Sequence, residues 1–156
     1  MRIIPFYAIN GSNAMTKIYE SLSPAETFEL GRHMGERANA GTVIALNADL
    51  GCGKTVFTQG FAAGLGITEP VTSPTFTILQ IYEEGRLPLY HFDVYRIEDE
   101  EEMEETGFDE YLDGDGVCLI EWAERVEDLL PADTVRITIE KDAGRGDEYR
   151  KIVISQ

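Results

Sequence analysis

A chain of 156 residues has room for one globular domain, and its net charge of −16 repels a polyanion, because unaided nucleic-acid binding comes from Lys and Arg neutralising phosphates. Hydrophobic residues make up 43%, yet no apolar run reaches the roughly 18 to 20 residues of a bilayer span or forms a signal sequence, so a cytoplasmic protein is expected. Cys52 and Cys118 have no repeated spacing and are expected as reduced thiols rather than a disulfide framework or zinc site.

Ser12-Asn13-Ala14 directly before Met15 has the character of a cleaved cloning tag, so residues 1–14 are set apart from the fold and 15–156 are read as a single domain. The competing reading of the same segment is a native apolar arm from Ile3 to Ile9. Thr16 to Leu22 suits a short strand. Ser23-Pro24-Ala25-Glu26 then supplies a capping box, with Pro24 in the first turn and Glu26 reaching back to the Ser23 amide. The helix runs to about Asn39, with Phe28, Leu30, Met34 and Ala38 along one stripe and Gly31 and Gly35 leaving room for close approach of another element.

Thr42 to Leu46 is a continuous apolar run, the composition of a buried parallel strand. A second helix follows to about Gly64. Thr77 to Tyr82 and Leu87 to Asp93 flank a Gly-containing turn and predict a hairpin. Glu98 to Glu105 holds seven acidic residues in eight, a solvated helical stretch that Met103, Phe108, Tyr111 and Leu112 can pin to the core. Val117 to Trp122 reads as another buried strand, and Thr134 to Glu140 with Tyr149 to Ile154 as a closing hairpin. Strands alternating with helices predict an α/β sheet that is mostly parallel with antiparallel additions and helices on both faces, and the phosphate-loop motif that follows the strand residues Thr42 to Leu46 makes it P-loop NTPase-like.

The chemistry concentrates in three places. Ala48-Asp49-Leu50-Gly51-Cys52-Gly53-Lys54-Thr55 departs from the Walker A pattern only at Ala48, and it lies between a buried strand and a helix. Small residues at Gly51 and Gly53 let successive backbone amides converge on phosphate oxygens. Lys54 reaches the β- and γ-phosphates, and the Thr55 hydroxyl binds Mg²⁺. Cys52, near the helix start, is placed where a thiolate is favoured and where ATP would shield it from alkylation. Val117 to Glu121 is an apolar strand ending in an acid, so Glu121 is the choice for the carboxylate beside Mg²⁺. Asp93 stands at a second strand end, suited to positioning the attacking water or a metal-bound water, with Arg96 as its structural ion-pair partner and His91 as a hydrogen-bonded structural histidine rather than a chemical group. Ser73 and Thr75 offer hydroxyls on a rigid turn suited to a nucleotide-sensing switch, and Trp122, the single tryptophan, should report nucleotide binding.

Four blocks in order, Asp49 to Thr55, Thr72 to Thr77, Tyr90 to Arg96 and Cys118 to Trp122, resemble the TsaE (YjeE) family over roughly Ser23 to Arg145. The resemblance implies a bacterial ATPase needed to make N6-threonylcarbamoyladenosine at position 37 of tRNAs that read codons beginning with A. It implies that the protein does not itself transfer the threonylcarbamoyl group. It would bind the TsaB-TsaD heterodimer, meet tRNA only through that complex, and reset the complex by hydrolysing ATP. Carried over by motif, Gly51, Cys52, Gly53, Lys54, Thr55 and Val56 would hold phosphates, Thr55 and Glu121 would bind Mg²⁺, and Asp93 would support hydrolysis together with Lys54. Ser73, Thr75 and Trp122 would respond to nucleotide, and Pro24 and Arg145 would lie near it. Low intrinsic turnover is expected, with catalytic pieces supplied in trans.

Two other readings share the loop. A small-molecule kinase needs several arginines to clamp two sets of phosphates, and few beyond Arg96 lie near the site. A non-hydrolytic ATP-gated binding module has no need of both Asp93 and Glu121.

Overall fold

A computed structural model describes residues 2–4 and 15–156. Eight strands form one sheet. They are β1 (Arg2–Ile4), β2 (Thr16–Ser21), β3 (Val43–Ala48), β4 (Leu79–Tyr82), β5 (Leu89–Asp93), β6 (Val117–Glu121), β7 (Val135–Lys141) and β8 (Arg150–Ser155), in the order β1-β2-β8-β7-β3-β6-β5-β4. The central strands β7, β3, β6 and β5 are mutually parallel. Antiparallel strands extend this core on both sides, with β8, β2 and β1 on one flank and β4 on the other. Most of the segment expected to be a tag remnant lies outside the described residues. Arg2–Ile4 is described, and as β1 it pairs antiparallel with the outer edge of β2.

Helices cover both faces. On one, α1 (Pro24–Arg37) and α2 (Lys54–Gly64) pack Leu30, Phe57, Phe61 and Ala62 against Ile44, Leu46, Leu119 and Ile137. On the other, α3 (Glu100–Glu105), α4 (Phe108–Leu112) and a kinked 3-10 segment (Ala123–Leu129) bury Met103, Phe108, Ala123 and Val126 against Phe92, Cys118 and Ile120. The acidic stretch is therefore pinned as its apolar residues predict, with Met103 and Phe108 buried and Tyr111 and Leu112 packed against them. Among the described residues, no helix is long and apolar enough to cross a membrane.

Ser23 caps α1, its hydroxyl accepting the Glu26 amide at 3.2 Å. The Glu26 carboxylate reaches the Leu22 amide at 2.7 Å instead of the Ser23 amide, one residue beyond the expected box. The two glycines of α1 meet α2 backbone to backbone. A Cβ at Gly31 would lie 2.3 Å from the Phe57 carbonyl oxygen, and one at Gly35 would lie 2.1 Å from that of Phe61. From the other side, Gly60 and Gly64 of α2 lie equally close to the Phe28 and Arg32 carbonyls.

Candidate nucleotide site

The carboxyl ends of β3, β5 and β6 come together, with Leu46 and Asp93 both registered beside Glu121. Ligands in open α/β sheets bind at such an edge, where the strands end and helices begin. A cleft of roughly 580 Å³ opens there, lined by Leu50, Gly51, Gly53, Lys54, Thr55, Ser73, Thr75, Asp93, Tyr95, Glu121 and Trp122. Nine of the site residues read from the sequence thus meet in one cavity: Gly51, Gly53, Lys54, Thr55, Ser73, Thr75, Asp93, Glu121 and Trp122. Pro24, Cys52 and Val56 line a smaller pocket of roughly 210 Å³ behind the loop, which shares Gly51 and Gly53 with the cleft. Arg145 lines neither. Its guanidinium bonds the Glu20 carboxylate and lies 4.3 Å from the Tyr149 ring centroid.

The loop leaves β3 and enters α2 through Gly51 and Gly53, at φ 74° and 94°. A side chain at either position would strain the left-handed backbone that turns the amides inward. Arg150 grips the loop from outside, donating from Nε to the Cys52 carbonyl at 3.0 Å and from its terminal nitrogen to the Gly51 carbonyl at 3.5 Å. These bonds hold two of the loop's carbonyls on the side of Arg150, while the Cys52 amide closes a turn onto the Asp49 carbonyl at 3.2 Å. Because the chain reverses hand twice, the Cys52 side chain turns into the core and is only 2% exposed. That burial protects the thiol without ATP, contrary to the expected reactive position. Both cysteines are free, and burial pushes the Cys118 thiol up to about 12.

Asp93 and Glu121 form the cleft floor, 4% and 3% exposed. The Asp93 Oδ2 accepts hydroxyls from Ser73 and Thr75, each at 3.2 Å, and its Oδ1 accepts the Tyr95 amide at 3.0 Å. Ser73 also approaches Glu121 Oε2, at 3.5 Å. Arg96 does not pair with Asp93. Its guanidinium stacks 4.5 Å from the centroid of Phe76, because the chain after Asp93 turns outward and Asp93 already has three donors. Behind the acids, His91 Nε2 lies 3.4 Å from Glu121 Oε1.

Two residues near the acids have backbones seldom seen in large side chains. Trp122 has φ 61°, which ends β6 at Glu121, one residue before the expected limit, and swings the indole over the cleft. Ile78, at φ 65°, closes the segment carrying Ser73 and Thr75, its carbonyl accepting the Asp93 amide at 2.8 Å. Strain of this kind collects where the surroundings hold a functional geometry. Reading the sequence did not single out Tyr95 or Arg150. Tyr95 tilts against Trp122 at 4.8 Å between centroids, and its place two residues after Asp93 is the signal that would have found it. Arg150 lies far along the chain, and no motif marks it.

A family profile, "Threonylcarbamoyl adenosine biosynthesis protein TsaE", matches residues 21–152. The chain belongs to the TsaE family. It is 48% identical over 137 residues to a Bacillus subtilis (strain 168) tRNA threonylcarbamoyladenosine biosynthesis protein TsaE, a match covering 88% of this chain and 84% of the relative. It is 47% identical over 119 residues to the TsaE of Treponema pallidum (strain Nichols), covering 76% of this chain and 87% of that one. The fold is that of the crystal structure of Bacillus subtilis YdiB, with a TM-score of 0.79 at 41% identity over 92% of this chain and 87% of the other. The P-loop NTPase-like architecture expected from the sequence is thereby matched in a solved structure.

Proposed function

We infer that this TsaE chain binds ATP with Mg²⁺ in a cytoplasmic setting, hydrolyses it slowly by itself, and uses the hydrolysis to reset a TsaB-TsaD complex that threonylcarbamoylates adenosine 37 of tRNA. The observation that carries the reading is the convergence of a glycine-rich loop, one lysine, the Thr55 hydroxyl and two buried carboxylates on a single cleft. The donor set suits a hard divalent cation beside phosphates, since Thr55 and Glu121 both line the cleft and supply oxygen ligands. When bound, Mg²⁺ neutralises charge on the β- and γ-phosphate oxygens.

The chain's own groups do the rest. The amides of Gly51, Gly53, Lys54 and Thr55 and the positive end of α2 receive the phosphates, and Lys54 contributes the one cation among the cleft-lining residues. Asp93, aimed by two hydroxyls and an amide, orients the attacking water. The Ser73 and Thr75 hydroxyls that hold Asp93 are then sensitive to what occupies the cleft, which links the nucleotide to the surface around them. That surface carries Phe76 and Leu50, 82% and 80% exposed, an apolar rim suited to a protein partner. The net charge of −16 favours such a partner over direct contact with tRNA. A kinase reading gains nothing from a cleft lined by a single cation.

The test is ATP turnover by wild type, Lys54→Ala and Asp93→Asn, each with and without the TsaB-TsaD pair and tRNA. Partner-stimulated turnover is expected, abolished by Lys54→Ala and lowered on the order of a hundredfold by Asp93→Asn with nucleotide binding retained. Turnover indifferent to the partners would leave an ATPase without the proposed role.

A further inference from the structure

The α2-side face of β5 and β6 runs from apolar to polar along each strand, Leu89, His91, Asp93 on one and Val117, Leu119, Glu121 on the other. His91 is registered beside Leu119, so its ring lies diagonal to Glu121, within reach of a long side chain on the next strand. His91 is 1% exposed and Glu121 3%. Both imidazole nitrogens and Glu121 Oε1 lack a hydrogen-bond partner, and the gap between His91 Nε2 and that oxygen is 3.4 Å. Buried polar groups left unsatisfied are costly, and here two of them face one another across a few tenths of an ångström more than a hydrogen bond.

The geometry points to His91 as a positioning residue for Glu121. It donates its Nε2 proton to Oε1, fixing the carboxylate so that Oε2, the atom Ser73 approaches, is the one presented to the cleft. Side chains that bond a metal ligand from behind orient it and tune its basicity, and their loss lowers metal affinity about 10- to 100-fold. A histidine held only for packing would not need its proton on Nε2. The inference rests on the reading of Glu121 as the carboxylate on the metal side.

Two substitutions of like polarity separate the roles. The amide of His91→Gln places a donor near the Nε2 position, whereas that of His91→Asn stops near Nδ1. Mg²⁺ is titrated at fixed ATP by calorimetry, with metal-free ATP binding as the reference. We expect His91→Asn to weaken Mg²⁺ about tenfold or more with metal-free binding unchanged, and His91→Gln to restore most of the loss. Equal Mg²⁺ affinity in the two variants overturns the positioning role. ATP binding by wild type that ignores Mg²⁺ overturns the reading of Glu121 beneath it. Nitrogen-15 spectra of the wild-type imidazole apply even if neither variant folds: a proton on Nε2 supports the assignment, and a ring protonated at Nδ1 alone refutes it.

Discussion

The ammonium of Lys54 rests 4.0 Å from the centroid of the Trp122 ring. The loop's lysine is thus parked on an aromatic face, an interaction typically of about 0.5–2 kcal/mol. On the proposed reading, a bound nucleotide competes with that ring for Lys54. Trp122 emission is expected to change on adding Mg-ATP, and Lys54→Met should shift the emission of the nucleotide-free protein and remove the response. Identical spectra for wild type and Lys54→Met without nucleotide would show that the pair does not persist in solution.

Arg150 holds two loop carbonyls from the far edge of the sheet. A hydrogen bond of this kind contributes about 0.5–1.5 kcal/mol net, so Arg150→Ala should weaken ATP roughly two- to tenfold by loosening the cradle without removing any group that faces the phosphates. Calorimetric affinity equal to wild type would assign the loop's shape to its glycines alone.

Gly35 lies where a methyl group would sit 2.1 Å from the Phe61 carbonyl. Gly35→Ala is therefore expected to cost about 1–3 kcal/mol in urea unfolding despite alanine's better helix propensity, because backbone cannot step aside as a side chain can. An unchanged urea midpoint would mean that the two helices part at little cost.

Both thiols are closed to solvent, Cys52 at 2% and Cys118 at 1% exposure. Neither should react with a thiol reagent until the protein unfolds, when two equivalents appear. The Cys118 value is raised in the folded state from 9.0 to about 12 by burial, so the unfolded chain loses its proton first. Its contribution to stability is complete below pH 9 and declines as pH rises toward about 12. Relative to Cys118→Val, wild type should lose about 1 kcal/mol of unfolding free energy between neutral pH and about pH 10. A pH-independent difference would contradict the burial.

Much of this architecture was legible because local and global signals agree. The run Val43 to Leu46, the glycines of the loop and the apolar strand ending at Glu121 each state an element and its place at the sheet edge. The residues that escaped depend on long-range geometry. Arg150 reaches the loop only because β8 returns antiparallel beside β7, and no local pattern encodes that proximity. Cys52 sits in a motif that suggests an exposed thiol, but two left-handed glycines on either side turn it inward. Arg96 follows Asp93 three positions later and invites an ion pair, yet the bend after Asp93 carries it to Phe76. The left-handed Trp122 opposes its own propensity, which is why a strand was expected one residue too far.

The bare contact between α1 and α2 has a mechanical meaning. At 1.5 Å per residue the two helices are about 21 and 16 Å long, and no cushion of side chains separates them at their glycines. A push on Lys54, the first residue of α2, is delivered to its neighbour as through a rigid coupling. A displacement of α2 at the loop would therefore be carried by backbone contact into α1, whose last residue is Arg37.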